Sequence, residues 1–428
     1  MRKVYIISLF LMFYFLMMPI SFADDIDEEI DENIEIINET IETSKNNSEE
    51  PIINSRKYVI YDRNSKRIVY GKNSNTKCAM ASTTKIMTAI IVLEKADINK
   101  EVIIDSKAAG TGGSRLGLKK NDRITIRDLL YGLMLRSGND AAIALATEVG
   151  GSTDGFANLM NEKIADLKLK NTHFVTPHGL DNPEHYTTAE ELAVITDYAL
   201  NNDLFREIVG TKSHTISING ISRTINNTNE LLGVLDGVVG VKTGFTSGAG
   251  RCLVTEVIRG DRDLITVVLG ADTKRDRTRD SIKLINYVFS NFVDIDLSKN
   301  INQAFNEWKN INSKRISINK AKEEINLDIT EIKTKKLLLK QEEASKIEYV
   351  FNTIIYLEAP VEENKKIGTI VVTLNGDIIE QVDIMCKNGV EKKKWSDYII
   401  EFCRTIMCDS AWFDLTFSSF CCIIYVYN

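Results

Sequence analysis

Residues 251–270 read RCLVTEVIRGDRDLITVVLG, two runs of branched apolar residues on either side of a Gly-Asp turn. Runs of this length around a turn are typical of paired antiparallel strands. Two shorter strand-like runs, residues 57–62 and 67–71, lie near the start of the same region, and apolar residues at helical spacing recur between them and residue 251. The order of strands, many helices, strands and a closing helix predicts an α+β fold. The first and last strands are expected to form one antiparallel sheet flanked by helices.

A second pattern begins at about residue 293. Runs such as residues 349–359 and 368–385 are short, rich in branched residues and alternating, and Asn375-Gly376 is a dipeptide typical of two-residue hairpin turns. The sequence therefore predicts two domains, residues 54–292 and a small β-rich domain over residues 293–390.

Charge is unevenly distributed along the chain. The net charge is −7, from 53 Lys and Arg against 60 Asp and Glu, and twelve of the acidic residues lie within residues 24–50 against Lys45 alone. An acidic balance argues against general nucleic-acid binding. The acidic stretch mixes Ile with Glu and Asn and lacks turn residues, which predicts a disordered spacer over residues 24–53.

The first 23 residues predict an export signal. A basic start, Met1-Arg-Lys, is followed by an apolar run and by Ser21-Phe-Ala, the pattern of a signal peptide cleaved after Ala23. The alternative is an uncleaved membrane anchor, because the apolar run is about long enough to span a bilayer. Both interpretations place the bulk of the chain outside the cytoplasm.

The C-terminal end predicts an amphipathic helix over residues 391–408. Trp395, Ile399, Phe402 and Ile406 recur at helical spacing after three consecutive lysines, a pattern suited to a membrane interface. The alternative is a helix packed on the β-rich domain. Residues 409–428 form an atypical apolar tail to which we assign no function. The seven cysteines have no metal-ligand spacing and are expected to be mostly free or buried thiols.

Three short motifs carry side chains suited to acyl transfer. Ser82-Thr-Thr-Lys85 opens a predicted helix and places serine and lysine on one face, where a lysine of lowered pKa can take the proton of the hydroxyl. Ser137-Gly-Asn139 offers a hydroxyl for proton relay and an amide for a substrate carbonyl. Lys242-Thr-Gly244 offers a cation, a hydroxyl and a glycine that lets a substrate backbone approach a strand. Each motif alone also fits a helix cap, a loop or a strand edge.

The three motifs in this order form the set found in penicillin-binding proteins and class A β-lactamases. The sequence resembles the low-molecular-weight penicillin-binding proteins of Gram-positive type, which are serine-type D-alanyl-D-alanine carboxypeptidases. The resemblance extends over roughly residues 54–390 and is carried by stretches such as ASTTKIMTA (81–89), DLLYGLMLRSGNDAAIALA (128–146) and GVKTGFTSGAGRCLV (240–254). It implies a penicillin-binding/β-lactamase-like catalytic domain followed by a small all-β domain.

The resemblance also implies roles for individual residues. Ser82 would be the acylated nucleophile, Lys85 the general base and Ser137 a proton shuttle. Substrate would be bound by Asn139, Lys242, Thr243, Gly244, Phe245 and Arg277, and the N–H groups of Ser82 and Phe245 would form an oxyanion hole. The implied substrate is a peptidoglycan stem peptide ending in D-Ala-D-Ala, at the outer face of the membrane or in the cell wall. β-Lactam antibiotics would inhibit, and no metal or cofactor is implied.

Four other functions compete with this interpretation. The same residues would serve a D,D-endopeptidase or transpeptidase acting on cross-links, and an inactive wall-binding scaffold would keep the fold alone. A class A β-lactamase would need an E-x-x-L-N pattern, which the stretch at Glu190 lacks. A zinc peptidase would draw on His173, His178, Asp181 and His185, but no H-E-x-x-H pair occurs and the stretch is rich in turn residues.

Overall fold

The computed structural model describes residues 35–45 and 49–409. The chain divides into two compact units, Met1–Phe292 and Val293–Asn428. The predicted signal peptide, residues 1–23, and the tail beyond residue 409 lie outside the described residues, so both stay predictions.

The first unit contains a five-stranded sheet and nine α-helices among its described residues. Its strands are β1 Lys57–Asp62, β2 Arg67–Lys72, β3 Glu101–Ile103, β4 Arg123–Thr125, β5 Ser213–Ile218, β6 Ile221–Asn226, β7 Val238–Thr246, β8 Gly250–Arg259 and β9 Arg262–Ala271. Its helices are α1 (residues 35–44), α2 Lys85–Lys95, α3 Ser106–Ala109, α4 Ile126–Leu135, α5 Asn139–Gly150, α6 Thr153–Asp166, α7 Ala189–Ala199, α8 Asp203–Gly210 and α9 Lys274–Asn291.

The sheet has the order β2-β1-β9-β8-β7 and its neighbouring strands are antiparallel. The first and last strands of the region therefore meet in one sheet, which confirms the predicted α+β class. β8 and β9 form the predicted pair and have almost continuous buried runs rather than alternating ones, because helix α9 packs against both and α7 packs against β9. β7 is an edge strand, so one side of its backbone has no partner strand among the described residues.

The helices α2 and α4 to α8 enclose one apolar core together with the covered side of the sheet. Their start positions follow from capping residues. Thr125, Ser152 and Thr188 each accept a hydrogen bond from a backbone N–H in the first turn of α4, α6 and α7. These caps fix where α4, α6 and α7 begin, and all three helices pack against α2, which begins at Lys85.

The prediction of a disordered acidic spacer is wrong for residues 35–44, which form helix α1. Ile37 is 2% exposed and packs in a cluster with Leu231, Leu235 and Ile285. Ile41 lies one turn later and packs against the same cluster. Because isoleucines four residues apart share one helix face, the apolar face is buried while the acidic residues stay in solvent.

The second unit is built on a four-stranded sheet of order β12-β17-β16-β14. Its strands are β10 Phe292–Asp296, β11 Ser317–Asn319, β12 Leu327–Ile329, β13 Lys336–Lys340, β14 Ile347–Thr353, β15 Tyr356–Glu358, β16 Lys366–Leu374 and β17 Asp377–Cys386. The hairpin turn predicted at Asn375-Gly376 is confirmed, since both residues have positive φ and Leu374 pairs with Asp377. The unit also contains helices α10 Leu297–Asn312, α11 Gln341–Ala344 and α12 Trp395–Asp409.

Helix α12 lies where the sequence predicts an amphipathic helix. Trp395 and Phe402 are 79% and 67% exposed, so these two aromatic side chains are not packed on the β strands of the unit. Within residues 35–45 and 49–409, no helix is both long enough and apolar enough to span a membrane.

Candidate active site

Ser82 lies in a tight turn in front of helix α2. Residues Ala81–Thr84 form a 3₁₀ turn, and α2 begins at Lys85. Ala81 has a left-handed backbone with φ of 48°, and the hydroxyl of Thr84 donates to its carbonyl oxygen at 2.8 Å. Ser82 is not the N-cap residue of either the turn or α2. Its hydroxyl oxygen instead lies 2.8 Å from Nζ of Lys85.

Lys85 is fully buried and is surrounded by three oxygen atoms. Its Nζ lies 2.8 Å from Oγ of Ser82, 2.8 Å from Oδ1 of Asn139 and 2.9 Å from the carbonyl oxygen of His178. Burial, and after it the charge of Lys242, holds the pKa of Lys85 well below its usual value. A neutral amine has two N–H donors and one lone pair. An Nζ that donates two N–H groups to the amide and carbonyl oxygens has its third position directed at Oγ of Ser82. Once deprotonated, it can accept the hydroxyl proton there, as a general base requires.

Asn139 holds Lys85 in place from the start of helix α5. Its Oδ1 accepts from Lys85, and its Nδ2 donates to the carbonyl oxygen of Gly112 at 2.7 Å. Ser137 lies two residues earlier, buried and with a left-handed backbone. The structure thus gives Asn139 a positioning contact. Substrate binding by Asn139 and proton relay by Ser137 stay predictions.

The Lys242-Thr-Gly244 motif lies on the edge strand β7, directly beside the turn of Ser82. A Cβ atom on Gly244 would lie 3.1 Å from the backbone nitrogen of Ser82 and 3.2 Å from that of Thr83. Glycine is therefore needed here because the strand and the turn touch through their backbones. Thr243 shares a hydrogen bond of 2.7 Å with the hydroxyl of Thr228. The free edge of β7 next to Ser82 suits an extended peptide added as a further strand.

Lys242 is a second buried lysine in this cleft. It is 1% exposed, and its Nζ donates to the carbonyl oxygen of Thr243 at 3.0 Å. Burial, and after it the charge of Arg277, lowers the pKa of Lys242 to about 7. A lysine with this pKa is partly charged near neutral pH, and a carboxylate ligand would stabilise its charged form.

Arg277, on helix α9, is already hydrogen-bonded to other side chains of the protein. It is 4% exposed, and its Nη2 donates to Oε1 of Glu230 at 2.7 Å and to Oγ1 of Thr278 at 3.1 Å. Its Nε is buried and has no hydrogen-bond partner among the described residues. The predicted contact with a substrate carboxylate therefore stays a prediction, and the structure adds an internal carboxylate at this position.

Phe245 follows the motif on β7 and is 51% exposed. The guanidinium of Arg251, its register partner on β8, lies 3.8 Å from the centre of the Phe245 ring. This stacking fixes the orientation of the ring and places a positive charge beside it. The oxyanion hole implied for the N–H groups of Ser82 and Phe245 stays a prediction.

The cluster considered as a zinc site makes hydrogen bonds within its own loop, to the turn of Ser82 and to the end of β7. Nδ1 of His185 accepts from the N–H of Val175 at 2.9 Å, and its Nε2 lies 2.8 Å from Oγ1 of Thr84. Nδ1 of His178 accepts from Leu180, and Asp181 accepts from Thr246 and Gly248. In the part of the chain that the structure describes, no three His, Cys, Asp or Glu side chains converge as metal ligands. The loop thus buttresses the turn of Ser82.

Sequence reasoning missed Glu230, Thr228 and the carbonyl oxygen of His178. Glu230 has one signal in the sequence, because it is a lone acidic residue between Asn229 and the apolar Leu231. A backbone carbonyl such as that of His178 has no sequence signal at all.

The cleft brings together a hydroxyl, a buried amine of lowered pKa that contacts it, a strand edge and two further buried basic side chains, Lys242 and Arg277. This is an arrangement for acyl transfer through a serine. One family model, described as D-alanyl-D-alanine carboxypeptidase, matches residues 44–273, and a second, described as the C-terminal domain of penicillin-binding protein 5, matches residues 312–392. The chain belongs to the D-alanyl-D-alanine carboxypeptidase family, whose members are serine hydrolases and low-molecular-weight penicillin-binding proteins.

Relatives and solved structures agree with this family. The chain is 30% identical over 341 residues to the D-alanyl-D-alanine carboxypeptidase DacF of Bacillus subtilis, covering 78% of this chain and 85% of that protein. It is 34% identical over 382 residues to DacC of Escherichia coli, covering 86% and 92%. The crystal structure of DacD from Francisella tularensis superposes with a TM-score of 0.64 at 25% identity, covering 81% and 96%. The Streptomyces K15 DD-transpeptidase superposes with a TM-score of 0.54 at 34% identity, covering 56% and 99%.

Proposed function

We propose that this chain is a serine D,D-carboxypeptidase that removes the terminal D-Ala from peptidoglycan stem peptides through an acyl-enzyme on Ser82. The observation that carries the proposal is the geometry at Lys85. Its Nζ lies within 2.9 Å of the oxygen atoms of Asn139, His178 and Ser82, so a deprotonated Nζ that donates to the first two presents its lone pair to the hydroxyl of Ser82. The names of the relatives supply the substrate class.

Acylation follows from that geometry. Lys85 takes the proton of the Ser82 hydroxyl as Oγ attacks the carbonyl carbon of the penultimate D-Ala. The resulting ammonium of Lys85 gives this proton to the departing amine, so that free D-Ala leaves and an ester on Ser82 remains. Water then attacks the ester with Lys85 as base, which releases the shortened peptide and restores the hydroxyl.

Lys242 and Arg277 would bind the carboxylate of the terminal D-Ala. Both are buried, and removal from water strengthens their attraction for an anion. The edge of β7 would pair with the peptide backbone and place the scissile carbonyl over Ser82. A β-lactam, which also presents an amide carbonyl and a carboxylate, would acylate Ser82 in the same way.

D-Ala release from a diacyl-Lys-D-Ala-D-Ala peptide tests the proposal. The parent protein should release D-Ala and take up the mass of one benzylpenicillin at Ser82. Ser82→Ala should do neither, and Lys85→Met should slow both by at least about a hundredfold, the usual contribution of a general base. Release that persists in Ser82→Ala, or that a chelator abolishes, would contradict the proposal.

Transfer to an amine is a second candidate, favoured by the similarity of the chain to the Streptomyces K15 DD-transpeptidase. Repeating the assay with added glycylglycine separates the two activities, because transfer gives a lengthened peptide whereas hydrolysis gives the shortened acid. Penicillin labelling without D-Ala release would favour action on cross-links. A chain with neither release nor labelling would be a wall-binding scaffold.

We propose further that the protein works outside the cytoplasm at the membrane surface. The support is the signal-like start at residues 1–23 and helix α12, whose exposed Trp395 and Phe402 follow three lysines. The protein should sediment with vesicles containing anionic lipid and lose that binding in a Trp395→Ser/Phe402→Ser double variant. Equal binding by both proteins would contradict this location of the anchor.

A further inference from the structure

Glu230 is the acidic residue closest to the proposed carboxylate-binding cations. Its Oε1 accepts from Nη2 of Arg277 at 2.7 Å and from the hydroxyl of Thr278, and its Oε2 lies 3.0 Å from Nζ of Lys274. Burial alone would raise the pKa of Glu230, but Arg277, Thr278 and Lys274 together lower it. The side chain is therefore a carboxylate at neutral pH.

The backbone around Glu230 is fixed to the strand that carries the site. Nδ2 of Asn229 donates to the carbonyl oxygen of Gly240 at 2.9 Å, and Thr228 shares a hydrogen bond with Thr243. On the other side, Leu231 is fully buried. Glu230 thus lies between two anchored neighbours, and its carboxylate is held against Arg277 rather than free to swing into solvent.

From this contact we propose that Glu230 sets the strength with which the site prefers a free C-terminal carboxylate. The inference rests on the proposed function and deepens it. Glu230 already neutralises one positive charge and occupies Nη2 of Arg277, while Nε of Arg277 stays buried without a partner in the described chain. A substrate carboxylate therefore meets a cleft whose cationic charge is partly cancelled from inside the protein.

The consequence is a weakened discrimination between acid and neutral C-termini. Removing the negative charge of Glu230 leaves Arg277 and Lys274 uncompensated, so the attraction for a substrate carboxylate rises. A neutral amide at the same position gains nothing. Since one charge at short range in a partly buried site changes binding by about tenfold or more at an effective dielectric constant of about 20, the effect is measurable.

Glu230→Gln separates charge from geometry. The amide oxygen of glutamine still accepts from Arg277, so the guanidinium keeps its hydrogen bond while the negative charge is lost. Glu230→Ala removes both. Glu207→Gln is a control for loss of a hydrogen-bonded carboxylate, because Glu207 accepts from the hydroxyl of Tyr131 at 2.7 Å and makes no hydrogen bond with Arg277 among the described residues.

The readout is a ratio measured on the full chain. The first ratio is kcat/KM for a diacyl-Lys-D-Ala-D-Ala acid divided by kcat/KM for the C-terminal amide of the same peptide. The second ratio is the rate at which benzylpenicillin acylates Ser82 divided by the rate at which benzylpenicillin methyl ester does so. We expect both ratios to rise about tenfold in Glu230→Gln and to rise in Glu230→Ala, with Glu207→Gln at the parental value.

Two results would overturn the proposal. Unchanged or lower ratios in Glu230→Gln would show that the charge of Glu230 does not act on the bound carboxylate. Parental ratios in Glu230→Gln with a fall in Glu230→Ala would show that Glu230 only supports Arg277. A parent protein that neither releases D-Ala nor labels Ser82 would instead refute the proposed function, so the two failures are distinguishable.

Discussion

Replacement of Gly244 by alanine tests how closely the strand β7 and the nucleophile turn meet. A Cβ atom on residue 244 would lie 3.1 Å from the backbone nitrogen of Ser82, and 3.2 Å from both Cβ of Ala81 and the backbone nitrogen of Thr83. Two of these neighbours are backbone atoms, which cannot rotate away as a side chain can. The turn and the strand must therefore separate by a few tenths of an ångström.

That displacement acts directly on the reacting atoms. A misplacement of about 1 Å can reduce a rate by about a hundredfold, so a few tenths of an ångström should reduce the acylation rate of Ser82 by about tenfold. Stability should change less. Overpacking costs about 1–3 kcal/mol, and the lower chain entropy of alanine in the unfolded state offsets about 0.4–1 kcal/mol of this.

The assay is the rate of benzylpenicillin acylation measured by mass, beside the Tm of the same sample. Gly389→Ala is a control, because its Cβ would have no neighbour closer than 3.7 Å and the residue lies in the second unit. We expect Gly389→Ala to acylate at the parental rate. If Gly244→Ala also acylated at that rate, the close approach of strand and turn would have no part in placing Ser82, and the reasoning would be refuted.

Three further predictions concern charge and packing. Because the pKa of Lys242 is about 7, kcat/KM for the peptide with a free C-terminal carboxylate should fall as pH rises through that value. The kcat/KM for its C-terminal amide should show no such fall. A pH profile measured with both substrates checks this difference. Burial lowers the pKa of His178 and His185 from 6.5 to about 4, so on acidification the unfolded state binds protons before the folded state does. The free energy of unfolding should therefore fall as pH drops from 6.5 to 4, by about 3 kcal/mol per imidazole. Urea unfolding at both pH values measures this change. Ile37→Ala should destabilise by about 2–5 kcal/mol and lower Tm, whereas the 81% exposed Ile52→Ala should not.

The sequence was sufficient to predict the sheet and the motifs for a physical reason. Residues 252–257 and 264–270 are buried on both faces, and such strands need largely apolar runs that are visible without a structure. Ser82 and Lys85 are likewise brought together locally, by the 3₁₀ turn of Ala81–Thr84, in which side chains three residues apart lie on one side. Local patterns of this kind can be recognised in the sequence because they depend on residues that are near one another along the chain.

Other features depend on distant contacts and left weaker signals. Helix α1 has an acidic composition that favours disorder, and only the apolar cluster around Leu231 makes its two isoleucines a stable face. Helix α10 does have a local pattern in the sequence, because Leu297, Ile301 and Phe305 recur every four residues and all three are buried. The pairing of Glu230 with Arg277 joins a loop to helix α9 and has no local pattern at all.

The cleft holds three basic side chains, and their order explains why one of them can be a base. Arg277 keeps its proton because a guanidinium is not deprotonated in proteins. Its charge lowers the pKa of Lys242, and the charge of Lys242 in turn lowers that of Lys85, with burial the larger cause at both lysines. A substrate carboxylate beside Lys242 would stabilise the charged form of Lys242, and that charge acts to lower the pKa of Lys85. If Lys242 binds the free C-terminus, recognition and the reactive state of the base are linked, so a substrate that lacks the carboxylate should lose kcat as well as affinity.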